Sequence, residues 1–154
     1  MSDLCPVTIA SFFESYRSAF ERQDAPAIAE HYAFPMLSTL DTGKIVVTPI
    51  GSKAELTSQL ERLLTMYRAI DGASARILKL SLLEFSPRLA QVSVEWELYG
   101  GCGQALYGFQ AAYTIGMIDG ALRMTAVAHN EIPRYKECLA RLQTGVGGPQ
   151  RAGD

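Results

Sequence analysis

This chain of 154 residues is poor in the residues that bind metals and staple small folds. It has two histidines and three cysteines. Cys5, Cys102 and Cys138 stand far apart with no Cys-x-x-Cys pair, so neither a disulfide framework nor a zinc site is expected. The thiols read as free, in a reducing compartment, and Cys102 in a glycine loop is the one placed to react. Charged residues make up only 19% of the chain and the net charge is −2, with Lys and Arg scattered rather than striped. That balance gives no reason to expect nucleic acid or an anionic membrane as partner. No apolar run approaches the ~20 residues a membrane helix needs. The N-terminus shows no basic segment leading into an apolar run, so the expected location is cytoplasmic. There is no internal repeat.

What the sequence does have is core-forming material. Apolar residues are 48% of the chain, which supports one domain over residues 1–143 followed by a loose, glycine-rich tail over 144–154. The clearest signal lies between Arg88 and His129. Ala90, Val92, Val94, Trp96 and Leu98 alternate with Gln91, Ser93, Glu95 and Glu97, the period of a strand with one buried face. Gly100-Gly101-Cys102-Gly103 turns the chain, Gln104–Ile118 returns, Asp119-Gly120 makes a tight hairpin, and Ala121–His129 is the last strand. A plain two-residue loop would set Thr114 opposite Thr125 and Gln110 opposite His129. Tyr107, Phe109, Tyr113, Ile115, Met117, Leu122 and Met124 then share a buried face with Trp96. Thr114, Arg123, Thr125, Val127 and His129 share the other. A single bulge would invert that assignment.

Upstream, Pro6–Arg22 carries an apolar stripe at helical spacing (Ile9, Phe12, Phe13, Tyr16, Ala19, Phe20). Asp24 caps a short second helix running to Tyr32. Met36–Leu40 and Lys44–Thr48 form a small hairpin. Ser52 and Glu55 form a capping box that opens a third helix to Ile70, with Leu56, Leu60, Leu63, Leu64 and Tyr67 as its inner stripe. Ser74–Phe85 is a further strand, and Pro133–Leu142 a short surface helix. The expected fold class is α+β: three N-terminal helices with a small hairpin, packed on a curved four-stranded antiparallel sheet around a cone-shaped cavity.

Three stretches carry a resemblance: Phe13-x-x-Tyr16-x-x-Ala19-Phe20 with Asp24-Ala25-x-Ala27-Ile28-Ala29, the capped helix at Ser52, and Asp119-Gly120-Ala121-Leu122-Arg123-Met124. In this order they resemble the NTF2-like superfamily, which includes SnoaL-like polyketide cyclases and ketosteroid isomerases. The resemblance spans Val7 to Ile132. It implies a cofactor-free pocket for a small apolar organic molecule and a homodimer formed through the sheet. The superfamily holds isomerases, dehydratases, cyclases, epoxide hydrolases and non-enzymatic binding modules, and fold does not choose among them.

The superfamily's catalytic patterns fit this chain incompletely. Isomerase-like members place a base carboxylate near Leu40 and an acid near Thr114; Tyr16 matches their first-helix tyrosine. The Arg-x-Asp pair and the Asp near Val127 of epoxide-hydrolase-like members are missing. The paired histidines of dehydratase-like members have His31 and His129 as counterparts, with no sign that they converge.

His129, at a strand end, is the first candidate for acid or base, against a rim histidine held by a backbone carbonyl. Tyr16 and Tyr113 are candidate oxyanion donors, against core tyrosines with edge hydroxyls. Tyr32, Trp96, Thr114 and Arg123 are expected to line the pocket, Arg123 as an anion clamp or an exposed ion pair. His31 reads as solvated, and Asp41 and Asp119 as turn residues. Two functions follow: proton transfer on an apolar carbonyl substrate, or a ligand-binding or dimerisation module without chemistry.

Overall fold

The computed structural model describes residues 4–145. Helix α1 (Pro6–Glu21) begins on a first-turn proline and buries Ile9, Phe13, Tyr16 and Ala19 on one stripe. Helix α2 (Ala25–Ala29) is capped by Asp24, whose carboxylate accepts the Ala27 N–H at 3.1 Å. Strands β1 (Tyr32–Asp41) and β2 (Ile45–Ile50) follow, then helix α3 (Lys53–Ala69). At its start the Ser52 hydroxyl accepts the Glu55 N–H at 3.2 Å. The Glu55 carboxylate reaches one residue further back than a standard capping box, to the N–H of Gly51 at 3.2 Å. Strands β3 (Gly72–Ser86), β4 (Leu89–Gly100), β5 (Ala105–Ile118) and β6 (Ala121–His129) lead to helix α4 (Glu131–Gln143).

The sheet has six strands in the order β2-β1-β6-β5-β4-β3, which corrects the expected four. The hairpin near residue 40 is part of that sheet. Strand β1 starts at Tyr32, earlier than expected, and pairs parallel with β6, Ser38 beside Val127 and Leu40 beside His129. Parallel pairing between strands so far apart in the chain leaves no local signature, whereas the hairpin turn does. The short second helix accordingly stops at Ala29, and Tyr32 is a strand residue. A fourth helix also forms: α4 buries Glu131, Tyr135 and Cys138, so it covers the sheet's end rather than lying on the surface. Thr144 and Gly145 close it. The rest of the expected tail lies outside the described residues.

One irregularity decides the site. Across the β5–β6 hairpin the register runs Met117↔Leu122 and Ile115↔Met124, then shifts, so that Thr114 faces Ala126, Tyr113 faces Val127 and Ala111 faces His129. The expected pairs Thr114–Thr125 and Gln110–His129 do not form, because Thr125 is the extra residue of a β-bulge. Side chains alternate with a period of two, so one extra residue flips everything beyond it. Leu122 and Met124 therefore point inward on one side of the bulge, and Val127 and His129 point inward on the other.

The concave face is the core. Phe13, Ile9, Ile28, Leu64, Val92, Val94, Ile115 and Met124 are almost wholly buried between α1–α3 and the sheet. A second cluster, Ile70, Leu98, Leu106, Tyr107, Tyr135 and Cys138, joins α4 to the end of β4 and the start of β5.

Candidate functional site

Between the helices and the concave face lies a cavity of about 320 Å³. Its inner wall is aromatic and aliphatic: Tyr16 and Phe20 from α1, Tyr32 and Met36 from β1, Trp96 from β4, Phe109 and Tyr113 from β5, and Leu60, Leu64 and Tyr67 from α3. The lining also reaches exposed residues such as Glu21, Arg62 and Ala73, where it meets solvent. Apolar walls with few convergent polar groups are the usual form of a small-molecule site.

Two sets of polar groups face this space. In the first, the Tyr16 and Tyr32 hydroxyls lie 2.7 Å apart, and the Trp96 indole N–H donates to the Tyr113 hydroxyl at 3.0 Å. Burial pushes all three phenols well above their ordinary range, so they remain protonated donors. Tyr16 also makes ring contacts with Phe13, Phe20, Trp96 and Tyr113, which fix its hydroxyl in place.

The second set is centred on Glu131, a residue that sequence reading missed. It is only 2% exposed. Its Oε2 accepts from the Tyr67 hydroxyl at 2.5 Å and the Tyr107 hydroxyl at 2.8 Å. Burial drives the carboxyl up to about 7, and the two phenols, which favour the ionised form, oppose that rise. Beside it, the backbone N–H of Glu131 donates to His129 Nδ1 at 3.2 Å. A nitrogen that accepts carries no proton, so the neutral ring bears its hydrogen on Nε2. Burial lowers this imidazole to about 4, and it is neutral at pH 7. His129 thus presents an Nε2–H donor, and Glu131 is the buried carboxylate beside it. The sequence signal for Glu131 was faint: an acidic residue in the first turn of a helix is ordinary capping, and only α4's packing onto the end of the sheet buries it.

The other predicted residues divide. Tyr16, Tyr32, Trp96, Tyr113 and His129 all line the cavity. Thr114 does not: it lies on the convex face, where its hydroxyl accepts from Gln91 Nε2 at 2.6 Å. Arg123 is also outside. It pairs with Gly116 and lines an open depression between α1, α2 and the start of β6, with a guanidinium N–H on the Leu122 carbonyl at 2.9 Å. His31 lines that same depression, so the two histidines do not converge. Nor is His31 solvated as expected; it is partly buried and bonded at both ring nitrogens. Leu40 lines the cavity beside His129, and Asp41 is the exposed last residue of β1, its carboxylate accepting the Gly43 N–H of the turn that follows. Among the described residues no group of three or more His, Cys, Asp or Glu is arranged to hold a metal. No helix among them is long and apolar enough to cross a membrane.

Solved structures share this architecture. An NTF2-like protein of unknown function from Pseudomonas putida KT2440 matches at 16% identity and a TM-score of 0.66, covering 84% of this chain and 88% of that one. A putative aromatic ring hydroxylase from Novosphingobium aromaticivorans matches at 11% identity and a TM-score of 0.61, covering 82% and 90%. A putative calcium/calmodulin-dependent protein kinase II association domain from Xanthomonas campestris matches at 14% identity and a TM-score of 0.61, covering 84% and 92%. At such identities the likeness is one of fold. No curated protein matches the sequence. The family profile described as NTF2-like protein (DUF6841) matches residues 7–132, and with the cone of helices on a six-stranded sheet this makes the chain a member of that NTF2-like family.

Proposed function

We propose that the cavity binds a small, largely apolar organic molecule with a carbonyl group, and that Glu131 moves a proton on it. The observation that carries this reading is a buried carboxyl that lines the cavity and is held by two phenols through one oxygen, where burial drives it up to about 7. Acid–base catalysis is most effective when the group's pKa lies near the working pH, because both protonation states are then populated. With Oε2 occupied by Tyr67 and Tyr107, Oε1 is the oxygen left to take a proton from the carbon beside the carbonyl. The carbonyl oxygen gains charge as that proton leaves, and the Nε2–H of His129 can donate to it. The same proton, returned to a different carbon, completes an isomerisation. Tyr16, Tyr32 and Tyr113 offer further donors to an oxygen of the ligand.

The single tryptophan, Trp96, stands in the cavity wall and reports occupancy directly. A panel of apolar ketones should quench its fluorescence. For those that bind, NMR in D2O should show exchange of the protons beside the carbonyl. In Glu131→Gln the quenching should persist and the exchange should slow by on the order of 10²–10⁴-fold. Equal exchange in the variant rules out Glu131. Binding without exchange for every ketone favours the second reading, a ligand-binding module without chemistry. That reading is supported by Leu40 and Thr114, where isomerase-like relatives carry their acids.

The convex face supports a homodimer. Paired residues give it two rows, Leu83–Gln91–Thr114–Ala126–Leu37 and Ser81–Ser93–Ala112–Ala128–Thr39. Ala112 and Ala128 are exposed side by side, and Leu37 and Leu83 are 44% and 59% exposed. A surface of small apolar and hydroxyl-bearing side chains flanked by exposed leucines suits a second copy of the same sheet. Light scattering at micromolar concentration should give a dimer, and Ala112→Arg, at the centre of the second row, should give a folded monomer. A wild-type monomer would refute the pairing.

A further inference from the structure

Outside the cavity, on the solvent side of α1, a serine and a histidine are assembled in the order a nucleophile needs. The Ser15 hydroxyl lies 3.0 Å from His31 Nε2, and His31 Nδ1 lies 2.9 Å from the Ala27 carbonyl oxygen. A carbonyl can only accept, so Nδ1 carries the ring's hydrogen and the Nε2 lone pair faces the serine O–H. Nucleophile, base and orienting acceptor are thus in line. The ring has little freedom to turn away, since Phe12 and Tyr16 contact it edge-on at centroid distances of 5.1 and 5.4 Å. Burial lowers the imidazole against the backbone bonds at Ala27 and Ile28, which favour the charged ring, and the Arg123 charge adds to the lowering, so the ring is an unprotonated acceptor at neutral pH. Ser15 itself is exposed. The open depression in front of it is also lined by Ser11, Arg22, Lys53 and Arg123. Lys53 is paired with Glu30, and Arg22 is bonded to Ser18. Arg123 makes no ion pair among the described residues.

We propose that Ser15, activated by His31, is an acyl-accepting nucleophile at a second site, and that its substrates are esters carrying a negative charge held by Arg123. Oγ forms a bond to the acyl carbon while its proton passes to Nε2. The ester C–O bond then breaks, and the leaving oxygen takes that proton, giving an alcohol and acyl-Ser15. Water can later hydrolyse the ester by the same proton path. Because Ser15 lies within a helix, its own N–H is committed to the helical ladder and offers no oxyanion donor. Slow or single-turnover acylation follows, not rapid catalysis.

The test uses the whole protein and a fluorophosphonate probe, whose phosphorus takes the serine oxygen and releases fluoride. Peptide mapping should find Ser15 labelled at least on the order of 10²-fold faster than Ser11, which is exposed on the same helix without an imidazole. Labelling of Ser15 should fall to the Ser11 rate in His31→Gln. Should that variant misfold, Ser15→Cys and Ser11→Cys compared with iodoacetamide at pH 7 replace it, with Ser15→Cys expected to react at least tenfold faster. Equal rates at the two positions in either experiment, or labelling only elsewhere, overturn the proposal.

Discussion

Changing His129 to Gln is expected to make the protein lose stability as pH rises, by on the order of 3 kcal/mol more than the wild type between pH 4.5 and 7. The cause is the opposite shift of two neighbouring buried groups. Below pH 4.5 Glu131 is protonated in folded and unfolded chains alike. From 4.5 to about 7 the unfolded carboxyl releases its proton while the buried one keeps it, so the folded state becomes progressively less favoured. His129 works the other way. Its ring is about 4 when folded against 6.5 as a model imidazole. As pH falls below 6.5 the unfolded chain takes up a proton that the buried ring refuses, and stability declines toward pH 4. Each shift is worth on the order of 3 kcal/mol at about 1.4 kcal/mol per pH unit.

Between pH 4.5 and 6.5 the two slopes have opposite sign and nearly cancel in the wild type. Removing either group exposes the other. Glu131→Gln should therefore gain stability from pH 4 to 6.5, and His129→Gln should lose it from pH 4.5 to 7. Urea unfolding at half-unit steps of pH measures both, and differences from the wild type remove the common surface carboxylates, such as Glu14 and Glu30, which are held low by their cationic partners. Parallel curves for all three proteins would show that neither group is sealed from water, and the proton-transfer reading would fall with that result.

The part of the fold legible in the sequence was the part governed by local rules. Strand alternation around Trp96, the Asp119-Gly120 turn, the Asp24 and Ser52 caps and the helical stripes each depend on residues within a few positions of one another. The sixth-strand bulge did not. Leu122 and Met124 are apolar and Thr125 is neutral, so no residue type marks the point where parity reverses. The hydrophobic pattern placed Leu122 and Met124 inside; the likeness to isomerase-like members placed Arg123, Thr125, Val127 and His129 inside. The first holds, with Met124 in the core and Leu122 packed against it, and the second holds only past the bulge, for Val127 and His129, while Arg123 lies outside; Thr125 lets one strand turn two parities toward the concave side. The parallel β1–β6 seam and the burial of Glu131 are likewise products of tertiary packing. A glutamate at a helix start reads the same whether it faces water or two tyrosines. This is also why Glu131 enters the candidate site only with the structure: tautomer and desolvation belong to the assembled site, not to the residue.

The second large effect separates the solid core from the cavity wall. Phe13→Ala is expected to cost about 3–5 kcal/mol. Phe13 is completely buried, with its ring packed against Phe12, Tyr16 and Tyr113, and it does not line the cavity. Its removal leaves a dry hole that its neighbours can close only in part. Trp96 is larger and 4% exposed, yet one side of its ring already faces the cavity, so it has fewer packing partners to lose. Its indole N–H bond to Tyr113 adds about 1 kcal/mol. Trp96→Ala should therefore destabilise no more than Phe13→Ala, the reverse of the order that side-chain size gives, and it should weaken binding of every ketone that quenches the wild type. Denaturant midpoints decide the first point and calorimetric titration the second. A Trp96→Ala penalty well above that of Phe13→Ala would mean that the space beside the indole is filled in solution, and a filled space leaves no room for a ligand.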